Sequence, residues 1–353
     1  MKVLLSDITD IYENYIRRTV KNKRKIFDFE KNKLQYLVDI KRTLENNTYN
    51  GGQYNIFLIK KPKTRIIMSQ SIYDKIINHY VARKILMPKL SKYLNDRNCA
   101  TRINMGSTYA IRLLKKDIES FKKYEKFYFL KLDIEKYFYN IDHTTLLKLV
   151  KDDLADEELN LVKVILDSTN KEYINNKINY FEEKINEELP RYYQGKGLPI
   201  GNMTSQFLAI FYLSKLQYFL RHNLRLKYIN YMDDFIILNE DKDYLKKCLE
   251  VIKEKLEREY KLNINAKKTK IMASNIGVNF LGYHFKVINN KTVVKLSQST
   301  KQAIKKGVKK SLYSYQNGKI NFKQFFSSIE NYKYSYLFID KVISKDIIDK
   351  IIG

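Results

Sequence analysis

KYINYMDDFIILNE, residues 227–240, contains two apolar β-type runs on either side of Met232-Asp233-Asp234. This composition predicts a β-hairpin that carries two adjacent carboxylates at its tip. Hairpin turns favour Asn-Gly or Asp-Gly pairs, and this tip lacks glycine. Repulsion between Asp233 and Asp234 would be relieved if protons or metal ions lay between them. The alternative interpretation is that both aspartates are ordinary solvated turn residues. The surrounding sequence is needed to choose between the two interpretations.

A second apolar strand lies earlier in the chain, in FYFLKLDIEKYF, residues 127–138. It ends at Asp133, turns toward a helix near Asp142, and is too apolar for the edge of a sheet. A single Asp at this place is also compatible with a helix cap. If this strand lies beside the 227–240 hairpin, three carboxylates converge at one end of a sheet, and such oxygen ligands suit Mg²⁺. Two ions about 4 Å apart would hold the attacking and leaving oxygens of a phosphoryl transfer.

The 353-residue chain is strongly basic, with 66 Lys and Arg against 39 Asp and Glu and a net charge of +27. Because 44% of its residues are apolar, a wholly disordered basic tail is excluded. The charge favours a polyanionic partner, which we expect to be nucleic acid. The abundance of Lys, Asn, Ile and Tyr is also typical of compositional drift in an A/T-rich genome. Part of the positive net charge can therefore reflect base composition and not nucleic-acid binding.

The sequence gives no sign of disulfides, zinc or a membrane segment. Cys99 and Cys248 are too few for a disulfide framework or a four-cysteine zinc site. No stretch approaches the length of an apolar membrane span, and the chain does not begin with a signal pattern. We therefore expect a cytoplasmic protein without a membrane partner. The histidines, which show no metal-ligand spacing, are His79, His143, His222 and His284.

The remaining sequence predicts helices and short β segments. Residues 54–69 form two β-type runs around a basic tip at 60–64, which predicts a hairpin. A short strand pair is expected within 262–287. Helices are expected over 1–50, 70–95, 145–190, from about residue 204, over 241–260, and over the basic stretch 298–353. One basic cluster is compatible with nucleic-acid binding or with a solvated helix face, and it comprises Arg17, Arg18, Lys21, Lys23, Arg24 and Lys25.

Together these segments resemble the reverse transcriptases, right-hand polymerases that copy RNA into DNA. Six sequence motifs follow one another in the order typical of that family. They are the basic hairpin at 61–65, the first palm motif at 129–138, the GLPIGNMTSQ loop at 197–206, the Tyr-x-Asp-Asp box at 231–234, the segment 262–270 and the primer grip at 280–283. The resemblance spans about residues 54–290 and implies an α+β fold. It implies N-terminal helices and fingers over 1–125, a palm with interleaved fingers segments over 126–290, and a helical basic thumb over 291–353.

The resemblance also implies the catalytic roles. Asp133, Asp233 and Asp234 would bind two Mg²⁺ ions, which Mn²⁺ could replace, and the backbone carbonyl of Ile134 would be a further ligand. Lys268 would protonate the leaving pyrophosphate, although the neighbouring lysines leave this choice open.

The same resemblance implies the substrate contacts. Phe138 would exclude ribonucleotides sterically. The residues expected to bind the dNTP are Lys61, Lys63, Arg65, Phe138, Ile200, Gly201 and Gln206. The primer would be held by Phe280, Leu281, Gly282 and Tyr283. The nucleic-acid backbone would be contacted by Lys305, Lys306, Lys309 and Lys310.

Within the family, IGNMTSQ at 200–206 resembles the prokaryotic enzymes of diversity-generating retroelements and departs from the retroviral Gln-Gly-x-x-x-Ser-Pro. Residues 98–107 and the short basic thumb resemble the same group, which implies misincorporation opposite template adenines. The Asn-Ala-x-x-His and Val-Thr-Gly motifs of retron enzymes are absent, and the tail after residue 290 is too short for a ribonuclease H domain.

Three alternatives stay open beside a retroelement enzyme. They are a compact antiphage-defence reverse transcriptase with a non-coding RNA, an RNA-dependent RNA polymerase, and an inactive RNA-binding scaffold. Phe138 argues against the second, and the presence of all three aspartates argues against the third. Expected partners are an RNA template, a primer, the nascent cDNA, dNTPs and a dedicated structured RNA, with an accessory protein or a second copy of the chain left open.

Overall fold

The structure is a computed structural model that describes residues 1–60 and 64–334. Its helices are α1 (Leu5–Ile11), α2 (Lys23–Glu30), α3 (Lys33–Glu45), α4 (Ile72–Tyr80), α5 (Met87–Leu90), α6 (Ser107–Phe121), α7 (Tyr137–Asn140), α8 (His143–Val150), α9 (Asp156–Asp167), α10 (Glu172–Ile185), α11 (Met203–Tyr212), α12 (Ser214–His222), α13 (Lys242–Tyr260), α14 (Gln298–Gln316) and α15 (Phe322–Tyr334). Its strands are β1 (Asn55–Ile59), β2 (Arg65–Ser69), β3 (Tyr128–Asp133), β4 (Lys227–Tyr231), β5 (Asp234–Asn239), β6 (Lys270–Ala273), β7 (Val278–Phe280), β8 (Tyr283–Ile288) and β9 (Lys291–Leu296).

The chain divides into two compact units, and each is built from separate stretches of sequence. The first comprises Met1–Thr101, Ile134–Asn223 and Glu250–Asn265, and the second comprises Arg102–Asp133, Leu224–Leu249 and the chain from Ala266 onward. The boundaries expected from the sequence for fingers, palm and thumb stay a prediction.

The first unit is mainly helical and contains the β1–β2 hairpin. The two strands are antiparallel, with Asn55 opposite Ser69 and Ile59 opposite Arg65, as the runs within 54–69 predict. The buried faces of this hairpin and of α10 share one apolar core, which includes Tyr54, Ile56, Ile66, Met68, Tyr139, Ile174, Ile178 and Tyr192. Short π-helical segments extend α1 and α4, over Tyr12–Ile16 and Val81–Leu86.

The second unit is organised around a four-stranded antiparallel sheet with the order β4-β5-β3-β6. β3 is central, and Phe129, Leu130 and Leu132 on it are fully buried or nearly so. This agrees with the prediction that the strand is too apolar for an edge. The β4–β5 hairpin also lies where the sequence predicts it.

The second unit continues into a separate three-stranded antiparallel sheet, β7-β8-β9, followed by α14 and α15. The strand pair predicted around 262–287 is confirmed by β7 and β8, which pair at Phe280 and Tyr283, while β6 and β9 add pairings that were not predicted. β6 joins the four-stranded sheet through β3, whereas β8 pairs with both β7 and β9. Gly277, with φ of +86°, donates a backbone hydrogen bond to Ala273 in the turn that separates β6 from β7.

Two other local expectations can be compared with the structure. Asp142 caps α8 by accepting a hydrogen bond from the backbone N–H of Thr145, which confirms the helix expected near it. The helix expected from about residue 204 is interrupted at Leu213, whose φ of −96° and ψ of 9° depart from helical geometry. No helix within residues 1–60 and 64–334 combines the length and apolar content needed to cross a membrane.

Candidate active site

The register of the four-stranded sheet places the predicted carboxylates together. Asp133, the last residue of β3, lies directly opposite Asp234, the first residue of β5. Residues directly opposite each other on antiparallel strands point to the same face, with Cβ atoms about 4.5–5.5 Å apart. Asp233 immediately precedes this pair in the β4–β5 loop. The sheet therefore brings all three aspartates to one end, although Asp234 lies in the strand and not at the hairpin tip.

The loop that carries Asp233 is only two residues long, because Tyr231 and Asp234 are paired across the hairpin. Met232 occupies the left-handed region with φ of +58°, where glycine or asparagine is usual and where another residue costs about 1–2 kcal/mol. Asn230, fully buried on β4, donates a 2.7 Å hydrogen bond from Nδ2 to the carbonyl oxygen of Met232. This hydrogen bond stabilises the strained turn and so fixes the backbone position of Asp233.

Lys131 lies two residues before Asp133 and therefore on the same face of β3. Its Nζ is 3.4 Å from Oδ2 of Asp234 and donates a 2.9 Å hydrogen bond to the carbonyl oxygen of Asn279 on β7. Lys131 thus offsets the repulsion between Asp133 and Asp234 and ties the second carboxylate to β7. It is not among the predicted site residues, although its spacing from Asp133 is a usable signal.

Asp234 is held in an environment that disfavours its charge. Burial raises its pKa from an ordinary 3.8 to about 6; Lys131 opposes the rise, and the neighbouring charges of Asp233 and Asp133 add to it. Its Oδ1 is buried, and no hydrogen-bond partner for it occurs within the described ranges. A buried carboxylate oxygen without a donor is unfavourable unless a proton or a cation compensates it.

Residues of the segment between α13 and β6 contact Asp133. Lys268 Nζ lies 3.0 Å from Oδ1 of Asp133, and the backbone N–H of Asp133 donates to Oγ1 of Thr269 over 3.3 Å. The structure therefore brings Lys268 to the carboxylates, and its role stays a prediction. Thr269 was not predicted.

The donor set fits a divalent cation. It consists of carboxylate oxygens at one sheet end, among them the buried Oδ1 of Asp234, which has no hydrogen-bond partner among the described residues, and hard cations such as Mg²⁺ prefer oxygen ligands. Across residues 1–60 and 64–334, no three His, Cys, Asp or Glu side chains already form a cation cage. The ammonium groups of Lys131 and Lys268 lie against Asp234 and Asp133 instead.

The predicted primer grip forms the turn between β7 and β8. Leu281 and Gly282 make this turn with φ of +47° and +87°, while Phe280 and Tyr283 are buried and paired with each other. The carbonyl oxygen of Gly282 accepts hydrogen bonds from the backbone N–H of Ser297 and from Oγ1 of Thr300, both 2.9 Å. The start of α14 therefore fixes the position of this turn.

The first unit contains the predicted nucleotide-binding loop. The backbone N–H of Met68 on β2 donates a 2.8 Å hydrogen bond to the carbonyl oxygen of Ile200. Gly201 has φ of +130°, and a Cβ there would lie 2.7 Å from the carbonyl oxygen of Met68, so this close approach requires glycine. Leu198 donates a 2.7 Å backbone hydrogen bond to the carbonyl oxygen of Phe138. The loop therefore lies beside both the hairpin and Phe138.

The other predicted nucleotide-binding residues, and the predicted metal ligand Ile134, are placed as follows. Arg65 is exposed at the start of β2, and Gln206 is half-buried in the first turn of α11. Ile134 is buried and forms an isolated antiparallel bridge with Ile264. Lys61 and Lys63 lie outside the described residues.

The predicted backbone-binding lysines all lie on α14. Lys305, Lys306, Lys309 and Lys310 are exposed, and no ion pair for them occurs in the part of the chain that the structure describes. Their spacing gives one side of the helix a dense positive charge, which suits contact with phosphates without reading of sequence.

The chain is similar to one protein family and to several solved structures. The family described as "Reverse transcriptase (RNA-dependent DNA polymerase)" matches residues 59–285. No curated protein sequence matches the chain. Among solved structures, the telomerase of Candida tropicalis with the TWJ fragment of telomeric RNA is 16% identical, with a TM-score of 0.50 over 86% of this chain and 52% of that one.

Two further telomerase structures are similar at lower scores. The apo, C-terminally truncated telomerase of Candida tropicalis is 17% identical, with a TM-score of 0.49 over 70% of this chain and 55% of that one. The Candida albicans telomerase with the TWJ fragment is 13% identical, with a TM-score of 0.48 over 76% and 52%. The chain spans about half the length of these structures. With the family match, the α+β right-hand polymerase fold expected from the sequence is confirmed.

Proposed function

Because the chain belongs to the reverse transcriptase family, we propose that it is an RNA-directed DNA polymerase that extends a primer with dNTPs on an RNA template. The observation that carries the proposal is the pairing of Asp133 with Asp234 across β3 and β5, with Asp233 in the adjoining turn. Three carboxylates at one sheet end suit phosphoryl transfer and are costly for any purely structural purpose.

Asp133, Asp233 and Asp234 would hold two Mg²⁺ ions, with Mn²⁺ as a substitute and the Ile134 carbonyl as a further ligand. Bound there, the ions would lower the pKa of the primer 3′-hydroxyl and neutralise charge that develops on the pyrophosphate. Lys131 positions Asp234 through the 3.4 Å ion pair. Lys268, now paired with Asp133, would donate a proton to the leaving pyrophosphate.

The nucleotide would be bound by the residues of the β1–β2 hairpin and the loop before α11. Arg65 is exposed and can bind phosphate oxygens with two N–H groups, and Lys61 and Lys63 would add charge. Gly201 lets the loop backbone approach β2 closely. This close packing supports a common nucleotide-binding surface made by the loop and the hairpin. Phe138 would reject the ribose 2′-hydroxyl, and Ile200 and Gln206 would contact the incoming base pair.

The primer and duplex would be held within the second unit. The turn at 280–283, fixed on α14 through Gly282, would position the primer terminus. The exposed lysines of α14 would bind the phosphate backbone, and such contacts are salt-sensitive and independent of sequence.

The experiment is primer extension on a primed RNA template with Mg²⁺ and each dNTP or rNTP. The wild-type chain should incorporate dNTPs, and Asp233→Asn should lose synthesis by at least about 10³-fold. Glu240→Gln is the matched control, because Glu240 is exposed just after the other end of β5 and the substitution removes the same charge. Synthesis by Asp233→Asn at the wild-type rate would contradict the proposal.

For the biological role, we propose diversification of a template-encoded sequence, supported by the IGNMTSQ motif at 200–206. The error spectrum on an adenine-rich template tests this, because ordinary fidelity at adenines would exclude it. A defence reverse transcriptase with a non-coding RNA is the alternative, and an inactive scaffold is the third candidate. Absence of synthesis even with the chain's own structured RNA would favour the scaffold.

A further inference from the structure

The first unit carries an exposed basic face that none of the proposed catalytic roles uses. It is made by Arg18, Lys21, Lys23, Arg24 and Lys25, which lie between the end of the α1 extension and the first turn of α2, and by Lys75 and Arg83 on α4 and its extension. We call these seven residues the basic face. Its first five side chains are exposed, and no ion pair for any of the seven occurs within 1–60 and 64–334.

Other cations close to the basic face are paired with Glu side chains. The unpaired charges of the basic face are therefore not explained by an absence of acidic residues nearby. Arg17 is paired with Glu13 and with Glu30, at 3.4 and 2.8 Å. Lys33 is paired with Glu13 at 2.7 Å. The acids of this region therefore bind the cations that pack the helices together, and the basic face is left to solvent or to a ligand.

Three cations of the basic face occupy an unfavourable place in the helix. Lys23, Arg24 and Lys25 fill the first turn of α2, and this turn contains no acid. The N-terminal end of a helix carries partial positive charge, so cations there are destabilising by a few tenths of a kcal/mol each. An anion bound at this end would interact favourably with both the helix end and these cations.

The charge continues onto α4. Lys75, His79 and Arg83 are spaced four residues apart and lie along one side of the helix and its extension. Lys75 is half-buried, and burial together with the nearby charge of Lys25 lowers its pKa. Burial and the charges of Arg83 and Lys75 lower the pKa of His79 to about 4, and His79 Nδ1 accepts a 3.4 Å hydrogen bond from Arg83 Nε.

Arg83 is held in place as well as charged. Its guanidinium stacks on the ring of Tyr15 at 3.6 Å, and that ring lies 6.2 Å from the imidazole of His79. The α1 extension therefore contacts the same side of α4, and the cations of both segments form one positively charged region that repels itself. Such a region is stabilised by a polyanion that lies across it.

We propose that the basic face binds the phosphate backbone of a structured RNA, at a site separate from the residues assigned to catalysis. The inference rests on the proposed function for the choice of RNA as the ligand. A bilayer is disfavoured because α2 offers little to insert: Phe29 is buried and stacks on Tyr36 at 5.1 Å, which leaves Phe27 as its one strongly exposed apolar side chain among the described residues.

The test is equilibrium binding of a labelled RNA hairpin of about 20 base pairs at several salt concentrations. One variant replaces Lys21, Lys23, Arg24 and Lys25 by Gln. The control removes four charges from exposed lysines of the same unit that also lack ion pairs in the described ranges. These are Lys148, Lys163, Lys215 and Lys253.

The basic-face variant should lose at least about tenfold in RNA affinity near 0.1 M salt, and the slope of log K against log salt should fall by about 3. The control should lose much less. Equal losses in the two variants would overturn the proposal, as would a loss of binding to phosphatidylserine vesicles with RNA affinity unchanged.

Lys75→Met separates binding from folding. It removes a half-buried charge that repels Lys25, so the melting temperature should stay equal or rise while RNA affinity falls. A fall in both would indicate a structural role. Primer extension on a short primed template, without flanking structure, should stay unchanged in these variants, and its failure in the wild-type chain would count against the proposed function alone.

Discussion

Replacement of Asp234 by Asn should stabilise the folded chain at neutral pH while it abolishes DNA synthesis. Burial raises the pKa of Asp234 to about 6 from an ordinary 3.8, so the folded chain binds this proton more tightly than the unfolded chain does. The stability that the protonated carboxyl contributes is fully present below about pH 4. It is lost as the pH rises through about 6.

The expected gain in stability follows from the size of the pKa shift of Asp234. About two pKa units correspond to about 3 kcal/mol of folding free energy at pH 7 and above. Asn has nearly the same shape and carries no charge, so the variant avoids this cost. With an unfolding entropy of about 2.1 cal/mol/K per residue, the chain's length converts 3 kcal/mol into about 4 °C of melting temperature.

The assay is thermal unfolding in EDTA, between about pH 4 and pH 8, of the wild-type chain, Asp234→Asn and Asp133→Asn. The gap between Asp234→Asn and wild type should be near zero at the acid end and grow through pH 6. Asp133→Asn should show no gain, because it breaks the ion pair with Lys268. A gap that does not change with pH would refute the reasoning, and so would a variant less stable than wild type at pH 8.

Three further substitutions test the remaining features. Gly201→Ala should destabilise the chain by about 1–3 kcal/mol in denaturant unfolding, because its φ of +130° and the 2.7 Å approach to the Met68 carbonyl leave no room for a Cβ; unchanged stability would contradict the close approach. Phe138→Ala should raise the use of rNTPs relative to dNTPs by at least about tenfold in competitive extension, and an unchanged ratio would reduce Phe138 to a packing role. Lys131→Met should lower kcat by about 10–100-fold with little change in the KM for dNTP, because it frees Asp234 from its 3.4 Å partner; a change in KM alone would place Lys131 in substrate binding.

The carboxylate site was predictable because its signals are local. Two apolar runs around Asp233 and Asp234, and one that ends at Asp133, predict strands, and the structure places Asp133 opposite Asp234. The contacts made by Lys131 were not predicted, because its partner Asn279 lies in β7, which is remote in sequence. No local pattern encodes such a contact.

The pairing of β6 with β3 was not predicted for a related reason. A β-type run predicts a strand but does not say which strand it pairs with, and β6 pairs with β3 while β7 pairs with β8. The break between α11 and α12 at Leu213 was missed because FLAIFYLSKLQYFL, residues 207–220, is mostly apolar and contains no glycine or proline.

The interleaving of the two units sets the order in which the chain can fold. The chain passes between them five times, after Thr101, Asp133, Asn223, Leu249 and Asn265, so no single cut releases either unit intact. β3 leaves the ribosome about 100 residues before β5, its partner in the sheet, which at 5–20 residues per second is about 5–20 s of translation.

During that interval Phe129, Leu130 and Leu132, which the finished sheet buries, have no strand to cover them. Nascent chains that stop between β3 and β5 should therefore be substrates for chaperones or should aggregate. Synthesis of β5 is the step at which the opposed pair Asp133 and Asp234 and the centre of the sheet form together.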